Sequence, residues 1–273
     1  MKAPRFAYEK PRSLDAAIRL LAAGGDGAKL IAGGQSLGPI LNFRLAQPEL
    51  LIDVRTLPEL AAVRDEGDAV FLGAATTHAA IEDVRVPDPT RGLLPAVART
   101  IAYRAVRNRG TLGGSLAHAD PAADWVSVMV LLDAEIVAQG PRGERRIRAS
   151  AFVRGPLTTA LAADEIITGV RVPKLSPRAR WGHYKFNRKP GEFAEAIGGF
   201  VHDPERGVAR AIIGAIGDAP HVLADGGPFV KGFDPAAAES ALDAAGLPAR
   251  SYERQVHLVA LKRAVAQSVR AGA

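Results

Sequence analysis

The sequence predicts an α+β chain built as successive modules, and three observations carry that reading. At 273 residues with 48% hydrophobic content, the chain is too long for one small core and apolar enough for several packed layers. Short strand, glycine turn and helix follow one another early on, whereas a hairpin pattern followed by two helices closes the chain. Residues 173–177, with two prolines and a serine, mark the break between the two regimes.

The first module is placed at residues 1–55. Ser13 is a good N-cap, and Leu14, Ala17, Ile18 and Leu21 recur at helical spacing until Gly24 and Gly25 stop the helix. Residues 29–32 read as a short buried strand running into the glycine turn Ala32, Gly33, Gly34, Gln35, Ser36. A helix over 37–44 and a strand over 50–54 complete a βαβ-like unit.

The second module is placed at residues 56–175. Residues 61–64 and 69–73 flank Glu66, Gly67 and Asp68 as a hairpin, Thr77 caps a short helix, and residues 93–107 read as a longer one. A second glycine turn follows at Thr111, Leu112, Gly113, Gly114 and Ser115, and Asp120 with Pro121 opens a helix that runs to Leu132. A hairpin around 140–143 and a strand over 165–172 close the module. In the third module, at 176–273, residues 193–201 and 208–216 flank the turn Asp203, Pro204, Glu205, Arg206, Gly207 and imply an antiparallel sheet. Helices over 235–245 and 252–269 are expected to pack on it.

Composition narrows the chemistry. There is no cysteine, which excludes disulfides, thiol catalysis and cysteine-ligated iron–sulfur clusters in this chain. The six histidines show no pair at metal-ligand spacing, so no metal site is expected. The net charge of +6 comes mostly from dispersed arginines without a basic stripe of interleaved aromatics, and nucleic-acid binding is not expected. No stretch approaches a membrane span and the opening MKAPRFAYEKPRSLD has no apolar core of signal type, so a cytoplasmic protein is expected.

The two glycine turns carry the functional signal. Glycine permits positive φ and close backbone approach, so consecutive N–H groups can converge on an anion. Strand, turn and helix place Gly33 and Gly34 where a helix start assists such an anion. Neither turn has the Lys-Ser/Thr ending of a Walker loop or the G-x-G-x-x-G spacing of the usual dinucleotide fingerprint. Together they predict a grip on the two phosphates of a dinucleotide. Plainer readings hold elsewhere: His78 sits at a helix start, and Arg104, Arg107 and Arg109 suit a helix C-terminus or a partner contact.

Three segments add a resemblance. AGGQSL at 32–37, RNRGTLGGSLAHADPAAD at 107–124 and DEIIT at 164–168 resemble the medium, FAD-binding subunit of the molybdenum hydroxylases, the family of carbon monoxide dehydrogenase and bacterial xanthine dehydrogenase-like enzymes. The match runs in order along essentially the whole chain. It implies a PCMH-type FAD-binding domain split into two α/β subdomains, followed by a C-terminal α+β domain of the CO dehydrogenase flavoprotein type. FAD then lies extended between the subdomains, its diphosphate held by Ala32, Gly33, Gly34, Gln35 and Ser36 and by Thr111, Gly113, Gly114 and Ser115. Asp124 matches a carboxylate that accepts from a sugar or ribityl hydroxyl, and Lys29, Ile31, Leu37, Ala117 and His118 match positions lining the cofactor. Ile166 and Ile167 fall where the family makes apolar contacts to the adenine end, and Lys185 and Phe193 fall near the isoalloxazine ring. Trp181 and Tyr184 read either as core or as stacking partners of the flavin. His118 stands where a relative often has asparagine, and Glu192 replaces a common aspartate beside Phe193.

The function implied is that of an oxidoreductase subunit with no catalytic side chain of its own. Substrate is oxidised at a molybdopterin centre on a large partner subunit, and electrons cross two 2Fe-2S clusters on a small iron–sulfur subunit. They reach FAD on this chain and leave for an external acceptor, in an assembly expected to be a dimer of heterotrimers. Motifs for the clusters and for molybdopterin are absent here, as separate chains require. Two other classes remain open: a free-standing flavin oxidase or dehydrogenase, whose flavin its own substrate would reduce, and a basic nucleic-acid-binding protein, which would be colourless and salt-sensitive in its binding.

Overall fold

The structure, a computed structural model, describes residues 2–270; residues 1 and 271–273, which the outer modules include, lie outside the described residues. The chain opens with β1 (Ala7–Glu9), α1 (Leu14–Gly24), β2 (Ala28–Ile31), α2 (Leu37–Asn42) and β3 (Leu50–Asp53). The three strands form a parallel sheet in the order β1-β3-β2. Ser13 caps α1 by accepting from the Ala16 N–H at 3.2 Å, and Gly25, with φ +48°, ends it. The buried stripe of α1 is Leu14, Ala17, Ile18 and Leu21, as the spacing predicts. Because the sheet is parallel, its carboxyl ends share one edge: the loop after Ile31 stands beside Asp53, with which Ile31 pairs.

Next come α3 (Pro58–Ala61), β4 (Val63–Asp65), β5 (Ala69–Gly73), α4 (His78–Glu82), α5 (Leu93–Thr100), α6 (Arg104–Arg107), α7 (Leu112–His118) and α8 (Asp124–Leu131). They are followed by β6 (Glu135–Gly140), β7 (Gly143–Arg148), α9 (Ala149–Phe152), β8 (Val153–Gly155), β9 (Thr158–Thr159) and β10 (Ile166–Pro173). An antiparallel sheet in the order β4-β5-β10-β6-β7 organises this part.

Three expectations are corrected here. Residues 93–107 are not one helix: α5 stops at Thr100, and Ala102, with φ +43°, turns the chain before α6. Arg107 then donates to the Ile101 and Ala102 carbonyls at 3.0 and 2.9 Å, filling acceptors that a continuous helix would have used. The second glycine segment is not a bare turn but the first turn of α7, capped by Thr111, whose Oγ1 accepts from the Gly114 N–H at 3.1 Å. Asp120 and Pro121 do not open α8. The Asp120 side chain accepts from Ala122 N–H at 2.9 Å in a local turn, and the helix starts at Asp124.

The last sheet is antiparallel in the order β11 (Arg180–Phe186), β12 (Ala196–Asp203), β13 (Val208–Gly214), β14 (His221–Leu223), with α10 (Pro235–Ala244) and α11 (Tyr252–Arg270) behind it. α11 lies close on β11 and β12 because Gly182 and Gly198 have no side chain: a Cβ on Gly182 would sit 2.7 Å from Ala264 C, and one on Gly198 2.5 Å from Leu261 N. Residues 173–177 are a packed connection, with Lys174 N–H on Asp68 O at 2.9 Å and Ser176 N–H on Asp203 Oδ2 at 2.8 Å. One hydrophobic core runs through the three large sheets, from Leu14 through Leu131 and Ile166 to Ile212; a second, around Phe200, Phe229 and Leu261, seats α11. Among the described residues no helix is long and apolar enough to cross a membrane.

Candidate functional site

The loop 32–36 leaves the carboxyl end of β2. Gly34 takes φ +69°, and Gln35 Nε2 donates to Gly33 O at 2.9 Å, bracing the loop. The Gly38 and Ile40 N–H groups turn back onto Gly34 O and Ser36 O at 2.9 and 3.1 Å. Among the described residues no acceptor faces the N–H groups of Gly33, Gly34, Gln35 and Ser36. Four consecutive unpartnered donors on a loop with a left-handed residue are chemically able to receive an anion.

The second glycine segment does something else. Its N–H groups are spent inside the protein: Leu112 on Thr76 O at 2.9 Å, Gly113 on Ala74 O at 2.9 Å, Gly114 on Thr111 Oγ1 at 3.1 Å and Ser115 on Thr111 O at 3.0 Å. Here glycine supplies space. A Cβ on Gly113 would lie 2.9 Å from Ala74 Cα, and one on Gly33 would lie 2.7 Å from Gly110 Cα, so the first glycine loop abuts the backbone just before the second segment. A Cβ on Gly114 would approach Ala32 Cβ to 3.9 Å.

Buried polar contacts fix this junction. Trp125 Nε1 of α8 donates to His78 Nδ1 of α4 at 2.9 Å, and burial, with a smaller contribution from Arg107, pulls the His78 pKa down to about 4. Arg107 binds Glu82 at 2.7 Å, and Arg104 binds Glu82 and Asp83 at 2.8 and 2.7 Å, so both arginines are structural. At the sheet edge beside loop 32–36, Asp53 is buried and accepts from Tyr8 Oη and from Arg55 N, Nε and Nη2, the last at 2.7 Å. Burial opposes its ionisation, yet the hydrogen bonds from Arg55 and Tyr8 hold its carboxyl well below the usual carboxylate range.

Asp124 and Lys185 lie far apart in sequence and form one buried ion pair at 2.8 Å, with side chains 4% and 6% exposed. Thr100 Oγ1 lies 3.5 Å from the same carboxylate. A cleft of about 260 Å³ opens beside them, lined by Thr100, Trp181, His183 and Lys185. A second cleft, of about 410 Å³, lies between α1, α3 and the five-stranded sheet, with Asp15, Glu59, Phe71 and Thr168 on its walls.

The remaining expected residues are less gathered. Ile31, Leu37 and His118 are half-buried, whereas Lys29 and Ala117 are exposed. Ile166 and Ile167 are buried in the main core. Phe193 is 57% exposed, in contrast to the buried Asp124–Lys185 pair. Sequence reasoning missed Thr100 and His183. The signal for His183 was available, since Trp181, His183 and Lys185 alternate along one strand and so share a face.

The unpartnered donors of loop 32–36 and its close contact with the backbone at Gly110, just before α7, fit a diphosphate, and a buried carboxylate further along fits a hydroxyl-bearing chain. Fold and site together define a protein suited to binding a dinucleotide. Comparison with known proteins says which kind. Residues 4–175 match the family described as the FAD binding domain in molybdopterin dehydrogenase. The chain is 42% identical over 199 residues to 6-hydroxypseudooxynicotine dehydrogenase complex subunit alpha of Paenarthrobacter nicotinovorans, covering 73% of this chain and 67% of that one. It is 38% identical over 263 residues to the nicotine 6-hydroxylase medium subunit of the same organism, covering 94% and 91%. The structure superposes on carbon monoxide dehydrogenase from Hydrogenophaga pseudoflava with a TM-score of 0.89 and 33% identity, covering 99% of each chain. The chain belongs to this family of molybdopterin dehydrogenase FAD-binding domains: it is the flavoprotein subunit of a molybdopterin-dependent oxidoreductase.

Proposed function

We propose that this chain holds FAD across the contact between its two glycine segments and relays electrons from two 2Fe-2S clusters of a small partner subunit to an external acceptor, after oxidation of substrate at a molybdopterin centre on a large one. The observation that carries the reading is the run of unpartnered N–H groups at Gly33, Gly34, Gln35 and Ser36 where the modules meet. Bound FAD supplies the redox chemistry, and the chain supplies position and electrostatics.

In this reading the four N–H groups bind the diphosphate oxygens, and Thr111, Gly113, Gly114 and Ser115 form the opposite wall and set its spacing. Lys29, Ile31, Leu37, Ala117 and His118 line the cofactor on either side. Asp124, oriented by Lys185, accepts from hydroxyls of the chain between phosphate and ring. Ile166 and Ile167 back the adenine end, and Lys185 and Phe193 lie toward the ring end. The three large sheets succeed one another along the sequence, which supports dividing the chain near residues 55 and 175. The names of the relatives as medium chain, medium subunit and complex subunit support a multi-subunit assembly, proposed here as a cytoplasmic dimer of heterotrimers.

The test is a visible spectrum of the purified complex, followed by acid release and chromatography of the yellow compound. FAD near one per chain is the expected result. FMN, or a complex that stays colourless after FAD is added, overturns the reading. Native mass of the complex and fractionation of cells check the assembly and its location.

A further inference from the structure

The parallel sheet of the first module is covered on one face by α1. That helix buries Leu14, Ala17, Ile18 and Leu21 in one core with Ala28 and Ile52, and Leu30 and Leu50 pack against the same core. Side chains alternate along a strand, so Lys29, Ile31, Leu51 and Asp53 point to the opposite face. Tyr8 reaches the same face, where its Oη donates to Asp53. Parallel strands are ordinarily buried on both sides. On this side Lys29 is exposed, Tyr8 is 51% exposed and the Arg55 side chain is 38% exposed.

Loop 32–36 folds over this open face. Parallel neighbours in register point the same way, so Ile31 stands beside Asp53, and a Cβ on Gly34 would lie 3.5 Å from Ile31 Cδ1. The unpartnered N–H groups of the loop and the guanidinium held by Asp53 are therefore neighbours on one face. Arg55 commits its Nε–H and one Nη2 N–H to Asp53, at 3.1 and 2.7 Å. A guanidinium has five N–H groups, and among the described residues no acceptor meets the Nη1 pair of Arg55. Asp53 and Tyr8 thus fix one side of the fork, and its other side is left for an anion.

We propose that Arg55, fixed by Asp53 and Tyr8, donates its free Nη1 N–H groups to a phosphate oxygen of the dinucleotide seated on loop 32–36. The inference rests on the reading of the chain as a flavin subunit. The plainer role for Arg55 is to neutralise Asp53 and nothing more, and two comparisons separate the roles.

The complex is prepared with wild-type chain and with Arg55→Lys, Asp53→Asn and the double variant Asp53→Asn/Arg55→Gln. For each, the FAD dissociation constant and the melting temperature of the FAD-free complex are measured. Arg55→Lys keeps a positive charge for Asp53 but loses the planar fork that serves carboxylate and phosphate at once. It should melt close to wild type and bind FAD about tenfold more weakly. In the second comparison Asp53 no longer carries a charge to neutralise. The double variant should still bind FAD about tenfold more weakly than Asp53→Asn, with the two melting alike. A neutralising role alone expects no difference in FAD affinity within either comparison, and that result overturns the proposal. Should Asp53→Asn not assemble, Arg55→Lys against wild type decides it alone. Unchanged FAD affinity with loss of the small subunit from the purified complex gives this face to the partner and also overturns it. A wild-type complex that never binds FAD defeats the flavin reading itself, and the proposal falls with it.

Discussion

Gly33 and Gly34 are neighbours with opposite physical reasons to be glycine. A Cβ on Gly33 would push into the backbone of Gly110, whereas one on Gly34 meets only the Ile31 side chain at 3.5 Å but must accept φ +69°. Gly33→Ala therefore separates two backbone segments, and Gly34→Ala only strains one residue, at a cost of about 1 kcal/mol. Thermal melts should show Gly33→Ala several-fold more destabilised than Gly34→Ala, while FAD titration shows both weakened. Equal melting shifts would mean that the close approach of the two segments is not rigid. Gly114→Val tests the facing wall: its Cβ would lie 2.8 Å from Thr111 Oγ1, the oxygen that caps the Gly114 N–H. Loss of that cap costs about 1 kcal/mol, and the added bulk near Ala32 should abolish FAD retention in a chain that still folds. Normal FAD content in this variant would remove α7 from the site.

At the scale of elements, α4, α7 and α8 interlock around His78, which accepts from Trp125 and lies 2.7 Å from the position a Gly110 Cβ would take. Its folded pKa, about 4, is below the unfolded value near 6.5. A depressed histidine stabilises the fold fully above the unfolded value, and that contribution is lost as pH falls through the folded one. Melting temperature should therefore fall between about pH 6.5 and 4, and His78→Gln, which can still accept from Trp125, should flatten the part of that slope that His78 carries. An unchanged slope would shift the effect to His183, whose pKa is lowered in the same way. Much of this element layer was legible beforehand. Ser13, the α1 stripe and the turn at residues 203–207 are local signals, each decided within a few residues. The break at Ala102 was not legible, because apolar spacing continues through residues 93–107 and only the tertiary fit forces the left-handed residue. Likewise the glycines of α7 read as an anion loop, and only the packing on Ala74 shows that their N–H groups are already taken. The Asp124–Lys185 pair was visible as two separate candidates, but their contact depends on how β11 docks on α8, which no local pattern encodes.

That docking decides how the whole molecule behaves. Three large sheets suggest separable units, yet one core passes through all of them, with Leu131 of α8 packed against Gly199 of β12 and Ile197 and Ile212 in the same cluster. The buried Asp124–Lys185 pair and the Trp181 bond to Arg91 O cross the same boundary. Undocking the last sheet would expose that apolar surface and leave a buried charge without its partner, a loss of several kcal/mol. The chain should therefore unfold in one cooperative transition. Its two tryptophans make the test direct, since Trp125 is buried in α8 and Trp181 stands on β11. In Trp181→Phe the fluorescence of Trp125 reports on the second sheet's helices, and in Trp125→Phe that of Trp181 reports on the last sheet. Within each variant, the urea midpoint by fluorescence should coincide with the midpoint by far-ultraviolet circular dichroism, even though Trp125→Phe lowers both by leaving His78 without its donor. A Trp181 transition that runs ahead of the circular dichroism would show the C-terminal sheet letting go first. The cleft beside the Asp124–Lys185 pair would then open and close with that sheet.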